Sequence, residues 1–182
     1  MEDFVAEACN TTEKEALIDD LMCSYGQDIL QLVFSYVKNK ATAEDLTQEI
    51  FVKCYKSLHT YKQNAKIRTW LWRIAINHTK DYLKSWYYRN VQLAKDEETE
   101  IVVQERVTPE QTVVQRDEDR ELAETVMELS VDYREVVYLF YFEELSLREI
   151  AEVTGVKENT VKTRLRRAKQ LLKERLEGSH DG

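Results

Sequence analysis

Glycine and proline are almost missing from this chain, at four and one in 182 residues. Tight hairpins draw on glycine for positive φ, and on glycine or proline at fixed turn positions. A chain so short of both has little room for them, so the expected class is all-α, with helices joined by short polar breaks. Its 43% hydrophobic content is enough for buried cores, and the length allows one or two small domains. The longest unbroken apolar run, Val136 to Phe142, is far too short to span a bilayer, so no direct membrane insertion is expected. The acidic start, MEDFVAEACN, lacks the apolar core of an export signal. Cys9, Cys23 and Cys54 fit neither a disulfide framework nor a zinc site, and a reducing cytoplasm is the natural compartment.

One tract defines its own local structure. In Leu145 to Arg175, Ser146 with Glu149 three later fits a capping box, so a helix is expected from about Leu147. Ile150 and Val153 give it a short apolar stripe, and Ala151 is small enough for another helix to approach. Gly155 stands where a sharp turn needs positive φ. A second helix is expected from Lys157 or Glu158. Its inward stripe is Val161, Leu165, Ala168 and Leu172, and Lys162, Thr163, Arg166, Arg167 and Lys169 face outward. From Lys157 to Arg175 eight bases stand against two acids, a net of +6 in a chain whose total is −8. Two helices joined by a short glycine turn, the second one basic, match the motif that reads duplex DNA. A solvated amphipathic helix would mix its signs more evenly.

Charge is sorted along the rest of the chain. From Lys53 to Arg89 nine bases meet one acid, Asp81; from Ala94 to Glu128 twelve acids meet four bases. Within the acidic part, Ala94 to Arg120 lacks sustained helical periodicity and holds the only proline, Pro109, so it reads as a mobile linker. The domain map is then 13–92 for a helical bundle, 93–120 for the acidic linker, 121–177 for the helix-turn-helix domain and 178–182 for a tail.

In the N-terminal bundle, Leu17, Leu21, Tyr25, Ile29, Leu32, Val33 and Tyr36 form one stripe, and Asn39-Lys40 is expected to break the helix. Ala43 to Leu58 is a second helix with Leu46, Ile50, Cys54 and Leu58 inward and Glu44, Asp45, Gln48, Glu49 and Lys53 around it. Thr69 to Trp86 is a third. It interleaves Trp70, Trp72, Tyr82 and Trp86 with Arg68, Arg73, Lys80 and Lys84, the mixture that single-stranded nucleic acid needs: rings for bases, cations for the backbone. Against this, a small bundle should bury at least two of its three tryptophans, Trp70 among them.

EDLTQEIFVKCY, then TWLWRIAINHTKDYL, then LSLREIA followed by TVKTRLRRA, resemble a bacterial RNA polymerase sigma factor. The short, two-domain layout is similar to the extracytoplasmic-function type of the sigma-70 family, over about Leu17 to Leu176. The resemblance implies regions 2 and 4 as the two domains. It places Asp45, Gln48, Glu49 and Phe51 where such factors dock on the β′ clamp helices of core polymerase. It places Asn77 where a flipped-out base of the −10 element is captured, with Trp72, Arg73, Lys80 and Lys84 along the melted strand. Glu158, Asn159, Thr160, Lys162, Thr163, Arg166 and Arg167 fall where the −35 duplex is read. Implied partners are core polymerase, including its β flap, promoter DNA and an anti-sigma factor released by a stress signal.

The chain departs from the family pattern in three places. Leu129-Ser130-Val131 stands where Leu-Pro is common, Lys157 where the turn often carries Ser or Pro, and Arg166 where relatives are often apolar or aromatic. A free-standing helix-turn-helix activator or repressor, acting as a dimer, explains Leu145 to Arg175 equally well. It leaves the basic, aromatic zone unexplained. His59, His78 and His180 stand apart, and no nucleophile-base pair or phosphate loop is present, so neither an enzyme nor a cofactor or metal is expected.

Overall fold

The computed structural model of the chain describes residues 2–61, 66–96 and 117–180, with side chains over 12–61, 66–87, 89–90 and 121–178. It divides into two compact units, Met1–Trp86 and Tyr87–Gly182. Every regular element is helical, and no strand occurs among the described residues, so the all-α expectation holds.

The first unit is built on α1 (Glu2–Val37), α2 (Lys40–Ser57), a 3-10 turn (Leu58–Thr60) and α3 (Ile67–Asp96) as far as Trp86. Lys38 in the left-handed region, at φ 55°, ends α1. Asn39 is extended, and its side-chain oxygen accepts from the Thr42 N–H at 2.9 Å, satisfying a donor the first turn leaves open. The break thus falls at Lys38-Asn39, and Lys40 already belongs to α2. α1 packs on α2, and Leu21, Ile29, Leu32 and Val33 of α1, Ala43, Leu46, Ile50 and Cys54 of α2, and Leu71, Ala75 and Ile76 of α3 are all buried. Each large aliphatic buried there contributes roughly 1.5–3 kcal/mol. Cys54 is a core residue, as its spacing predicts. Burial pushes its thiol up to about 12, which nearby Lys53 only partly offsets, so it stays protonated and inert at neutral pH.

The second unit holds α4 (Asp117–Glu128), α5 (Val131–Val137), one π-helical turn (Tyr138–Phe142), α6 (Leu147–Thr154) and α7 (Glu158–His180). The π turn divides the seven-residue apolar run. Val136, Val137, Tyr138 and Leu139 are buried, while Tyr141 and Phe142 are exposed. Ser130 opens α5 without a side-chain cap. The buried Arg134 guanidinium donates back to the carbonyls of Met127 and Leu129, groups left open at the carboxyl end of α4.

α3 continues to Asp96 and α4 begins at Asp117, so both ends of the stretch that reads as linker are helical. The mobile middle expected there, 97–116, lies outside the described residues.

Candidate nucleic-acid interface

The α6–α7 pair forms as its sequence predicts. Ser146 Oγ accepts from the Glu149 N–H at 3.2 Å, and the Ser146 N–H donates back to the Glu149 carboxylate at 2.9 Å. This reciprocal cap fixes where α6 starts. Gly155, at φ 71°, ends α6, and its N–H donates to the Ala151 carbonyl at 3.0 Å. Lys157 then supplies the first carbonyl of α7, accepting from Thr160 and Val161.

Val161, Leu165, Ala168 and Leu172 are buried, as are Ile150 and Val153 facing them. Burying that stripe forces the other side of α7 outward. Glu158, Asn159, Thr160, Lys162, Thr163, Arg166 and Arg167 are all exposed, so the whole set expected to read duplex shares one accessible surface. Thr163 donates its hydroxyl to the Asn159 carbonyl at 2.9 Å and keeps its oxygen lone pairs outward. Thr163, Arg166 and Arg167 line an open concavity together with Tyr133 of α5, Arg164 and Gln170. Arg164 is the one cation in that group already occupied, donating to Asp132 at 3.0 Å and lying 4.0 Å from the buried Glu135.

α3 is sorted less simply. Leu71, Trp72, Ala75, Ile76 and Thr79 are buried. Arg73, Asn77, Lys80 and Lys84 recur at helical spacing on a second stripe, with Arg73, Asn77 and Lys84 exposed and Lys80 half-buried. Three cations therefore flank one amide. The amide can both donate to and accept from a base edge, and the cations suit a phosphate backbone.

The expected contact set needs two corrections here. Trp72 is only 1% exposed, its ring packed edge-on against Tyr25 at 5.4 Å and covered by the Arg68 guanidinium at 4.8 Å. It is a core residue and offers no face to a base. The tryptophan expectation is corrected with it, since Trp72 is the buried one. Trp70 is half-buried against Tyr61, and Trp86 is 45% exposed. Phe51, expected at the polymerase contact, is likewise core at 4% exposed, because its position on α2 follows the stripe of Ile50 and Cys54.

Asp45, Gln48 and Glu49 are exposed on α2 and line a second open concavity with Val52, Lys53, Lys56 and His78. The sequence reading left His78 standing apart. In the fold its Nε2 lies 2.8 Å from Glu49 Oε2, joining α3 to the acidic face of α2. The two residues are 29 positions apart, and no local spacing links them.

Comparison with known proteins adds to this geometry. Residues 21–86 match the family model described as Sigma-70 region 2, and 119–172 the one described as Sigma-70, region 4. The chain is 34% identical over 163 residues to the ECF RNA polymerase sigma factor SigW of Bacillus subtilis (strain 168), covering 86% of this chain and 87% of that protein. It is 35% identical over 170 residues to the RNA polymerase sigma factor YlaC of the same organism, covering 90% and 94%. In fold it is similar to the sigma factor RpoE of Bartonella quintana, solved in complex with the anti-sigma factor NepR. The TM-score is 0.70 at 19% identity, over 87% of this chain and 96% of that one. CnrH, solved with the cytosolic domain of CnrY, gives a TM-score of 0.64 at 23% identity over 94% of each chain.

Proposed function

This chain belongs to the sigma-70 family, as an RNA polymerase sigma factor of the extracytoplasmic-function type, and we propose on that premise how its parts divide the work. Residues 13–92 dock on core polymerase through Asp45, Gln48 and Glu49, and hold the melted −10 strand along Arg73, Asn77, Lys80 and Lys84. Residues 121–177 read the −35 duplex through Glu158, Asn159, Thr160, Lys162, Thr163, Arg166 and Arg167, and rest on the β flap. The segment between them, 93–120, serves as the acidic linker, and 178–182 as a tail. The protein catalyses no reaction itself; it supplies sequence choice to an enzyme that does.

The observation that carries this reading is the stripe of α3 on which Asn77 stands among Arg73, Lys80 and Lys84 while the aromatic Trp72 faces the core. A free-standing repressor would need the α6–α7 pair and would give this stripe no task. The anti-sigma factor bound to RpoE supports a similar partner here, one that covers the polymerase-binding surfaces until a stress signal frees them. A cytoplasmic location goes with that reading. No helix among the described residues is long and apolar enough to cross a membrane.

Run-off transcription with core enzyme is the direct test. Added protein should give promoter-dependent transcripts from a genomic template pool, and a pool with none would refute the reading. Asn77→Ala should cut open-complex formation about tenfold or more, as expected for one lost base contact, with core binding unchanged. Equal loss of core binding would remove Asn77 from its assigned role.

A further inference from the structure

The hydrogen bond between α2 and α3 falls on the face assigned to polymerase docking. Glu49 is the outer member, with its side chain 60% exposed; His78 is the inner one, at 22%. A carboxylate in its ionised form only accepts, so the proton between them sits on His78 Nε2. His78 is thereby the donor and Glu49 the group being held. Lys53 and Lys56 line the same concavity, yet the contact that fixes Glu49 comes from a different helix.

We propose that His78 is a positioning residue for polymerase docking: it holds the Glu49 carboxylate in the orientation that the partner meets. The proposal rests on the docking role given above to Asp45, Gln48 and Glu49. An exposed glutamate is otherwise free to turn through its rotamers, and a partner that needs one of them must order it on binding. The Nε2–H bond sets that orientation before the encounter. Asp45, one turn earlier on α2, gains a neighbour whose place is already fixed. His78 also follows Asn77 directly, so the anchor of the docking face and the residue assigned to the −10 base sit side by side on α3.

The test is a double-mutant cycle in the full-length chain, read as affinity for purified core polymerase, with thermal unfolding as a check on folding. Glu49→Ala should weaken binding and so tests the underlying docking role. His78→Phe should weaken binding about three- to tenfold, the range expected for one side chain left to be ordered on association. His78→Gln places a donor near the position of Nε2 and should stay within about twofold of the natural chain. In the Glu49→Ala background, His78→Phe should change nothing further. If Glu49→Ala weakens binding while His78→Phe does not, or if the two losses simply add, the positioning role is wrong and the docking face stands. If Glu49→Ala leaves affinity unchanged, the docking role of Glu49 fails first and this proposal falls with it. Should His78→Phe lower the unfolding temperature, His78→Gln decides alone, since its failure to hold affinity in a folded chain overturns the proposal.

Discussion

α7 and α3 carry the two surfaces assigned to DNA, and they separate core from surface in different ways. α7 fills its inward stripe with Val161, Leu165, Ala168 and Leu172, all smaller than an aromatic ring, and its outward residues are polar without exception from Glu158 to Arg167. α3 spreads its aromatic residues over every depth, with Trp72 fully buried, Trp70 half-buried and Trp86 exposed. One helix announces its reading face by residue type. On the other, the same residue type can pack a core or stack on a base, and only depth decides which. The flanking contacts differ as well. α7 carries ion pairs to neighbouring elements, Arg164 to Asp132 at 3.0 Å and Arg175 to Glu128 at 3.1 Å, whereas α3 meets α2 through a histidine.

The largest effect that probes this contrast is Trp72→Ala. If Trp72 is core, the substitution should cost about 3–5 kcal/mol in the first unit. Hydrogen exchange should then show protection lost across α1 to α3 and kept across α5 to α7. Retained protection, with a specific loss of strand binding, would return Trp72 to the reading surface. Next comes Arg167→Ala, which should leave stability within about 0.5 kcal/mol and weaken promoter binding by holoenzyme by roughly 1–3 kcal/mol. A gel-shift titration on templates with and without the −35 element measures this, and equal losses on both would make Arg167 a phosphate contact only.

Ser146→Ala removes the cap of α6 and should lower stability by about 1 kcal/mol, seen as a shifted denaturation midpoint. A change in sequence preference instead would mean that Ser146 touches DNA. The smallest effect is expected from Asp132→Asn. Its carboxylate is 61% exposed, so losing the pair with Arg164 should cost only about 0.2–1 kcal/mol. A larger loss in a denaturant titration would show that Asp132 holds Arg164 beside the buried Glu135.

Residues whose role is set by near neighbours were legible in the sequence. Ser146, Glu149 and Gly155 mark α6 within a few positions, and the stripe of α7 follows from period alone. The N-terminal stripe of α1 and the core place of Cys54 were readable for the same reason. Depth was not readable: periodicity could not say that Trp72 rather than Trp70 is enclosed. Long-range pairing was also closed to it, as with Glu49 and His78. Nor does any local pattern foretell the π turn beyond which Tyr141 and Phe142 stand exposed, or the buried guanidinium of Arg134 that donates to carbonyls at the end of α4.

The ion pairs of α7 bear on how strongly its DNA binding should respond to salt. Counting cations from Lys157 to Arg175 gives eight. Arg164 and Arg175 already face carboxylates, Lys173 lies 3.6 Å from Glu177, and Lys169 sits over the rings of Phe140 and Tyr141. Among the described residues, Lys157, Lys162, Arg166 and Arg167 remain to displace counterions from phosphate. Release from this helix should then give a log–log slope of magnitude about 3 to 4, where the raw count would suggest ~7. Half of the positive charge that draws the eye in the sequence already faces a carboxylate or a ring of the protein itself.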